Sequence, residues 1–193
     1  MINPDESDLH KTQHLSRQLA LFDRISWHSH IIGDYTHAGS PPDLITTISV
    51  IEHIPNDGDI DAVAKLWTML GDDGVLILSV PVARTGYLEF IDFNEYELLD
   101  SDANGFCFGQ RYYSWDDLRQ RIFPITGNPT SWELIGEKEA FWFERDRARK
   151  NGDPYFPLSG EPFRFAMQFR RFDNLEQLPG MGVIAMVFKK KCA

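Results

Sequence analysis

Between Pro41 and Pro81 the chain reads PPDLITTISVIEHIPNDGDIDAVAKLWTMLGDDGVLILSVP, and this stretch limits the possible fold more than any other. Leu44–Ser49 is apolar and β-branched on both faces, and Val75–Val80 is nearly continuous in apolar residues. Such runs suit strands covered on both sides, as in a parallel sheet, rather than half-exposed antiparallel strands. Between them, Asn56 or Asp57 is placed to cap a helix whose apolar positions Ile60, Val63, Ala64, Trp67 and Leu70 follow helical spacing. Gly71 stops that helix, and Asp73-Gly74 turns the chain into the next strand. Strand, crossover helix and strand make one βαβ unit of a doubly wound α/β sheet.

Composition bounds the rest. With 193 residues, 42% of them hydrophobic, the chain is long enough for one globular domain with its own core, expected over residues 1–193. The formal charge of -10 argues against a general nucleic-acid binder, which needs a basic surface to neutralise phosphates. Cys107 and Cys192 are far apart and not in a metal spacing, so reduced thiols in a cytoplasmic protein are expected. No apolar run is long enough to span a bilayer, and no charged-then-apolar leader opens the sequence.

The segment DLITTISVIEHIP…LWTMLGDDGVLILSVPV resembles the centre of the class I S-adenosylmethionine-dependent methyltransferases of small-molecule type. In that family an acid, a run of hydrophobic residues and a Glu-His pair follow one another through the fourth strand. Leu70-Gly71-Asp72-Asp73-Gly74 stands where the family's Leu-Lys-Pro-Gly-Gly precedes strand five. The resemblance implies a partial Rossmann-like methyltransferase sheet, strands 3 to 7 of the order 3-2-1-4-5-7-6. Helices on both faces and an insertion between the last two strands go with it. A generic α/β crossover is the plainer reading of the same residues.

Upstream, Met1–Asp5 reads as the end of a strand and its turn. Ser7 or Asp8 is placed to cap a helix running to about Leu21, with Leu9, Leu15, Leu19 and Phe22 near one face. Ile25–Ile32 is the next expected strand and closes at Gly33-Asp34. The resemblance implies that Asp34 is the acid that accepts from the adenine amino group; turn chemistry alone explains it equally well. The family's first strand, its Gly-rich loop and the following helix have no counterpart in these residues. Gly33, Gly39, Gly58, Gly71 and Gly74 are too dispersed, and Gly105 and Gly109 are read as part of an acidic-aromatic loop. About one βαβ unit, roughly 30 residues, is therefore expected to be missing, which makes the domain N-terminally incomplete or truncated. The inner edge of Leu44–Ser49 is then expected to be unpaired, a place for a partner or a homo-oligomer.

Downstream, residues 82–113 are expected to form a lid or a solvated flap, with Glu89, Asp92, Glu95, Glu97, Asp100 and Asp102 among aromatics. Ser114 is placed as an N-cap with Asp117 at the third helical position, and Leu118 and Ile122 are expected on the buried side. Trp132–Trp142 and Gly182–Lys189 are the expected last strands, and the resemblance implies that they form an antiparallel edge pair. The insertion at 143–180 carries arginines interleaved with Phe163, Phe165, Phe169 and Phe172. They suit either pairing with the acidic flap or an anionic small-molecule acceptor.

The resemblance implies S-adenosylmethionine as cofactor and methyl transfer to a small-molecule acceptor. It places Asp34, Ser49, Val50 and Ile51 at the cofactor and His53 with Glu52 at the chemistry. His53 follows a central strand, where ligands bind in such sheets, and histidine is the residue type suited to exchanging protons at physiological pH, so it is the candidate base. Glu52 is placed to orient the imidazole or bind a cation. In one branch of the family a Glu-x-x-Glu-His set holds a metal; Ser49 replaces the first Glu here, and no metal is expected. Capping and packing of the next helix is the competing account of Glu52-His53. An inactive or partner-completed chain that associates through its free edge is the alternative to an enzyme.

Overall fold

A computed structural model of the chain describes residues 1–92, 101–139 and 167–191. Its main sheet has five strands in the order β1-β2-β7-β5-β6: β1 Leu44–Ile48, β2 Val75–Ala83, β5 Ser131–Glu137, β6 Phe169–Phe172 and β7 Met181–Lys189. β1 and β2 are parallel, joined through α2 (Gly58–Met69), whereas β7 runs antiparallel to both β2 and β5. The expected crossover and the expected antiparallel pairing of the last two strands are both present, but β6 pairs on the outer side of β5, so that pair is not the edge of the sheet. Two further strands, β3 (Tyr87–Ile91) and β4 (Cys107–Tyr112), pair antiparallel in a separate small sheet. The stretch read as a lid thus starts inside β2 and continues as this hairpin, and Gly109 lies within β4 rather than in a loop. Residues 93–100 and 140–166, with Glu95, Glu97, Asp100, Phe163 and Phe165, lie outside the described residues.

Alternation along the strands sorts the core. Leu76, Leu78, Val80 and Val82 of β2 share a face with Ile184, Met186 and Phe188 of β7, Leu134 of β5 and Phe172 of β6. Against that face pack Ala62 and Val63 of α2, Leu118 of α3 (Trp115–Arg121) and Phe123 and Ile125 of α4 (Phe123–Thr126). Each fully buried aliphatic side chain there contributes about 1.5–3 kcal/mol. The buried stripe of α2 runs through Asp59, Ala62, Val63 and Leu66, so Ala62 and Leu66 join the expected Val63 while Ile60 and Ala64 sit at its margin.

The opposite face behaves differently. Leu44 and Ile48 of β1 are 54% and 57% exposed, and Val183 and Ile135 are also exposed. β1 is the edge of the sheet, and only Thr47 in it is buried, which corrects the expectation that this strand is covered on both sides. Toward the carboxyl end of β2 the same face is covered, where Ala83 and Met181 meet Tyr112, Tyr87 and Phe169.

Proline does not end β2. Pro81 pairs with Val183 of β7 and accepts from the Tyr113 amide at 3.0 Å. A strand residue directs its N–H and C=O to the same edge. The N–H that proline lacks would have faced the edge beyond β1, whose pairing stops at Ile48 and Ser79.

At the front, α1 spans Glu6–Gln18 and is capped by Asp5, whose carboxylate accepts from the amides of Ser7 and Asp8. The cap is earlier than the expected Ser7 or Asp8 because Asp5 keeps an extended backbone just outside the helix. Leu15 and Leu19 are exposed, and only Leu9 and Ser16 of α1 are buried. The expected strand over Ile25–Ile32 does not form. His28 makes one isolated parallel bridge to Ile2, and a lone bridge cannot propagate without a longer neighbouring strand.

Candidate functional site

The carboxyl end of β1 is an abrupt turn. The Ser49 amide donates to the Ser79 carbonyl at 3.0 Å, continuing the parallel pairing by one residue. Ser49 then adopts φ +50, a left-handed conformation that non-glycine residues rarely take. A single 3-10 turn over Ile51–His53 follows, and a second left-handed residue, Asn56 at φ +56, leads into α2. These two breaks bring Ser49, Val50, Ile51, Glu52 and His53 together above the strand ends. Ser49 and Val50 are exposed, Ile51 belongs to the core, and His53 is half-buried. A ligand at this turn therefore meets Ser49 and Val50, whereas Ile51 is buried beneath them.

The structure does not bring Asp34 to this group through any described contact. Asp34 is exposed on a turn whose neighbour, the Gly33 carbonyl, accepts from Lys65 partway along α2. Beside that part of α2 a cavity of about 540 Å³ is lined by Tyr35, His37, Pro41, Lys65, Thr68 and Met69. It contains none of Ser49–His53, so it is separate from the turn described above.

His53 is oriented from the hairpin. Its Nδ1 lies 2.8 Å from the Gly109 carbonyl oxygen. A carbonyl only accepts, so Nδ1 carries the proton and Nε2 holds the lone pair of the neutral ring. Glu52 faces inward and is 1% exposed. Burial pushes its carboxyl up to about 7, against the opposing pull of its own backbone amide and the Ser49 hydroxyl. Glu52 Oε2 and Ser79 Oγ are both buried without a hydrogen-bond partner, so polar capacity remains unsatisfied at the ends of β1 and β2.

A buried ionic cluster fixes the hairpin over this turn. Asp59, in the first turn of α2, is fully buried and accepts from Tyr113 Oη at 2.7 Å, Arg121 Nε at 2.9 Å and Arg121 Nη2 at 2.6 Å. Arg111 Nε stands 3.5 Å from Asp59 Oδ2, an ion pair without hydrogen-bond alignment. Both arginines also donate to the Asn56 carbonyl. Burial acts to raise the Asp59 carboxyl, but the hydrogen bonds from Arg121 and Tyr113 and the two guanidinium charges outweigh it and hold it below its ordinary value. Sequence reasoning singled out none of Asp59, Arg111, Tyr113 or Arg121 for this cluster. An Asp in a first helical turn is commonplace, and its partners lie more than fifty positions away.

The chain's likeness to known proteins lies in its fold. No protein-family model matches the sequence, and no curated protein matches it. Solved structures do. The MccD protein aligns with a TM-score of 0.60 at 14% identity, over 98% of this chain and 78% of its own. The [4+2]-cyclase SpnF aligns at 0.61 and 11% identity, over 100% of this chain and 66% of its own. Coclaurine N-methyltransferase, bound to N-methylheliamine and SAH, aligns at 0.58 and 17% identity, over 98% of this chain and 59% of its own.

The chain has the class I methyltransferase fold. Within that fold, β1, β2, β7 and β5 occupy the positions of strands 4, 5, 7 and 6, as the order 4-5-7-6 requires. The Ile2–His28 bridge is parallel, as strands 2 and 3 of the methyltransferase fold are. The cyclase among the neighbours shows that this fold also carries chemistry other than methyl transfer.

Proposed function

We propose that this chain belongs to an S-adenosylmethionine-dependent methyltransferase acting on a small-molecule acceptor. The observation that carries this reading is the oriented His53 at the carboxyl end of β1 in a methyltransferase fold. Bound S-adenosylmethionine supplies an electrophilic methyl group. Ser49 and Val50, both exposed at these strand ends, would form one wall for it. The described residues provide no glycine-rich cradle, so this fit covers one side of the cofactor only.

His53 Nε2 would accept the proton of the acceptor's hydroxyl or amine, the bound cofactor supplying the methyl group. The protein's part is to align the acceptor and remove that proton. An anionic acceptor fits the arginine-rich region between β5 and β7. Of its described arginines, Arg171 instead pairs with Glu133 on the neighbouring strand at 3.1 Å.

The exposed edge of β1 favours a second reading, in which a separate polypeptide or a second copy completes the sheet. Leu44 and Ile48 flank unpaired backbone groups there, the arrangement that accepts an added strand. Calorimetric titration with S-adenosylmethionine separates the readings. Binding by the chain alone supports a working cofactor site. Binding that appears only when a polypeptide with a strand and Gly-rich loop is added supports completion by a partner. Heat from neither mixture rules out the cofactor.

A further inference from the structure

We infer that Gly109 is a positioning residue: its carbonyl selects the tautomer of His53 and so decides which imidazole nitrogen takes the proton. The inference rests on the reading of His53 as a base and deepens it. Free imidazole side chains favour the proton on Nε2, which would leave Nε2 unable to accept. The 2.8 Å contact from Nδ1 to the Gly109 carbonyl reverses that preference.

The geometry behind this contact is a β-bulge. Glu89 faces Gln110, yet the next residue, Phe90, faces Phe108, so Gly109 is the extra residue on β4. A bulged residue is released from regular ladder pairing, and its backbone can be re-aimed. Here the carbonyl is aimed across to the turn after β1, fifty-six positions earlier in sequence. The position is also tight. A Cβ on Gly109 would come within 3.2 Å of Ile91 Cγ2 and 3.3 Å of the Glu89 carbonyl oxygen. Gly109 is not among the left-handed glycines, so alanine fits its backbone angles, and the Ile91 side chain, the Glu89 backbone or the bulge itself must give by a few tenths of an ångström. The Asp59 cluster holds β4 in place independently through Arg111, so the hairpin is expected to survive that displacement.

The test reads the ring directly. The full chain, labelled with ¹⁵N-histidine, is examined by long-range ¹H–¹⁵N correlation in mildly alkaline buffer, and His53→Gln assigns the resonance among the six histidines. The expected result is a pyridine-like Nε2 and a protonated Nδ1 in the wild type. In Gly109→Ala, with an unchanged circular dichroism spectrum, the Nδ1–H to Nε2–H ratio should fall several-fold, as the weakening of one hydrogen bond by that displacement allows. A glycine that mattered only for packing would lower stability without moving that ratio. A wild-type ring protonated on Nε2, or a ratio unchanged in Gly109→Ala, overturns the inference. Should the expected tautomer be found in a protein that never binds S-adenosylmethionine, the methyl-transfer reading fails and the positioning by Gly109 stands.

Discussion

Tyr113 donates its hydroxyl to Asp59 Oδ2 at 2.7 Å, and both side chains are sealed from solvent. The bond joins the residue just after β4 to the first turn of α2, and Arg121 from α3 closes on the same carboxylate. Removing the acceptor leaves charged donors behind in the interior. Asp59→Ala should therefore destabilise the chain by about 3–5 kcal/mol, whereas Tyr113→Phe, which deletes one donor, should lose about 1 kcal/mol. Urea unfolding of both variants checks the order; equal losses would contradict the cluster's central role.

Glu52 gives a prediction with a definite sign. Its folded-state value of about 7 lies above the ordinary 4.5, so the folded chain binds the extra proton between those limits. Stability from this group is full below about pH 4.5 and is lost as pH rises toward 7. Glu52→Gln stays uncharged throughout. Relative to wild type it should gain stability across that window, by at most about 3 kcal/mol above it, less whatever the Ser49 contact contributes. Paired thermal melts across the range test this; a constant difference would remove the raised carboxyl.

Ile48 reports on the free edge. It is 57% exposed, so Ile48→Lys should cost the monomer within about 0.5 kcal/mol. A lysine on an edge strand opposes edge-to-edge pairing. If copies of the chain meet along β1, sedimentation velocity should show wild-type dimers and monomeric Ile48→Lys at the same concentration. Identical profiles would dismiss self-pairing through β1.

The capping box at α3 isolates a local effect. Ser114 Oγ accepts from the Asp117 amide at 3.1 Å, and Asp117 Oδ2 accepts from the Ser114 amide at 2.8 Å. Ser114→Ala should lower stability by about 1 kcal/mol with an unchanged denaturant slope, measured by equilibrium unfolding.

Local chemistry explains what was legible in the sequence. The βαβ unit of Pro41–Pro81, the Ser114 cap and the buried Leu118 and Ile122 follow from periodicity, caps and turns, whereas the antiparallel pairing of β5 with β7 followed from the family resemblance. Those signals lie within a turn or two of the residues they govern, so a single chain displays them. The order 4-5-7-6 was readable through the family resemblance, and Glu52-His53 was marked as the notable pair by its place after a buried strand.

Tertiary structure alone decided the rest. Ile25–Ile32 has strand composition, but a strand needs a longer neighbour than Met1–Asn3, which supports one isolated bridge at Ile2 and His28. Leu44 and Ile48 look like core residues, yet the edge position of β1 leaves them at the surface. Asp59 is ordinary in sequence and becomes the centre of a buried ionic cluster because Arg111, Tyr113 and Arg121 converge on it from other elements. Gly109 acquires its link to His53 only from a bulge in a strand far along the chain. Sequence determined which segments are apolar and where they begin and stop. Burial, charge pairing and tautomer depend on distances between segments, and those exist only once the chain has folded.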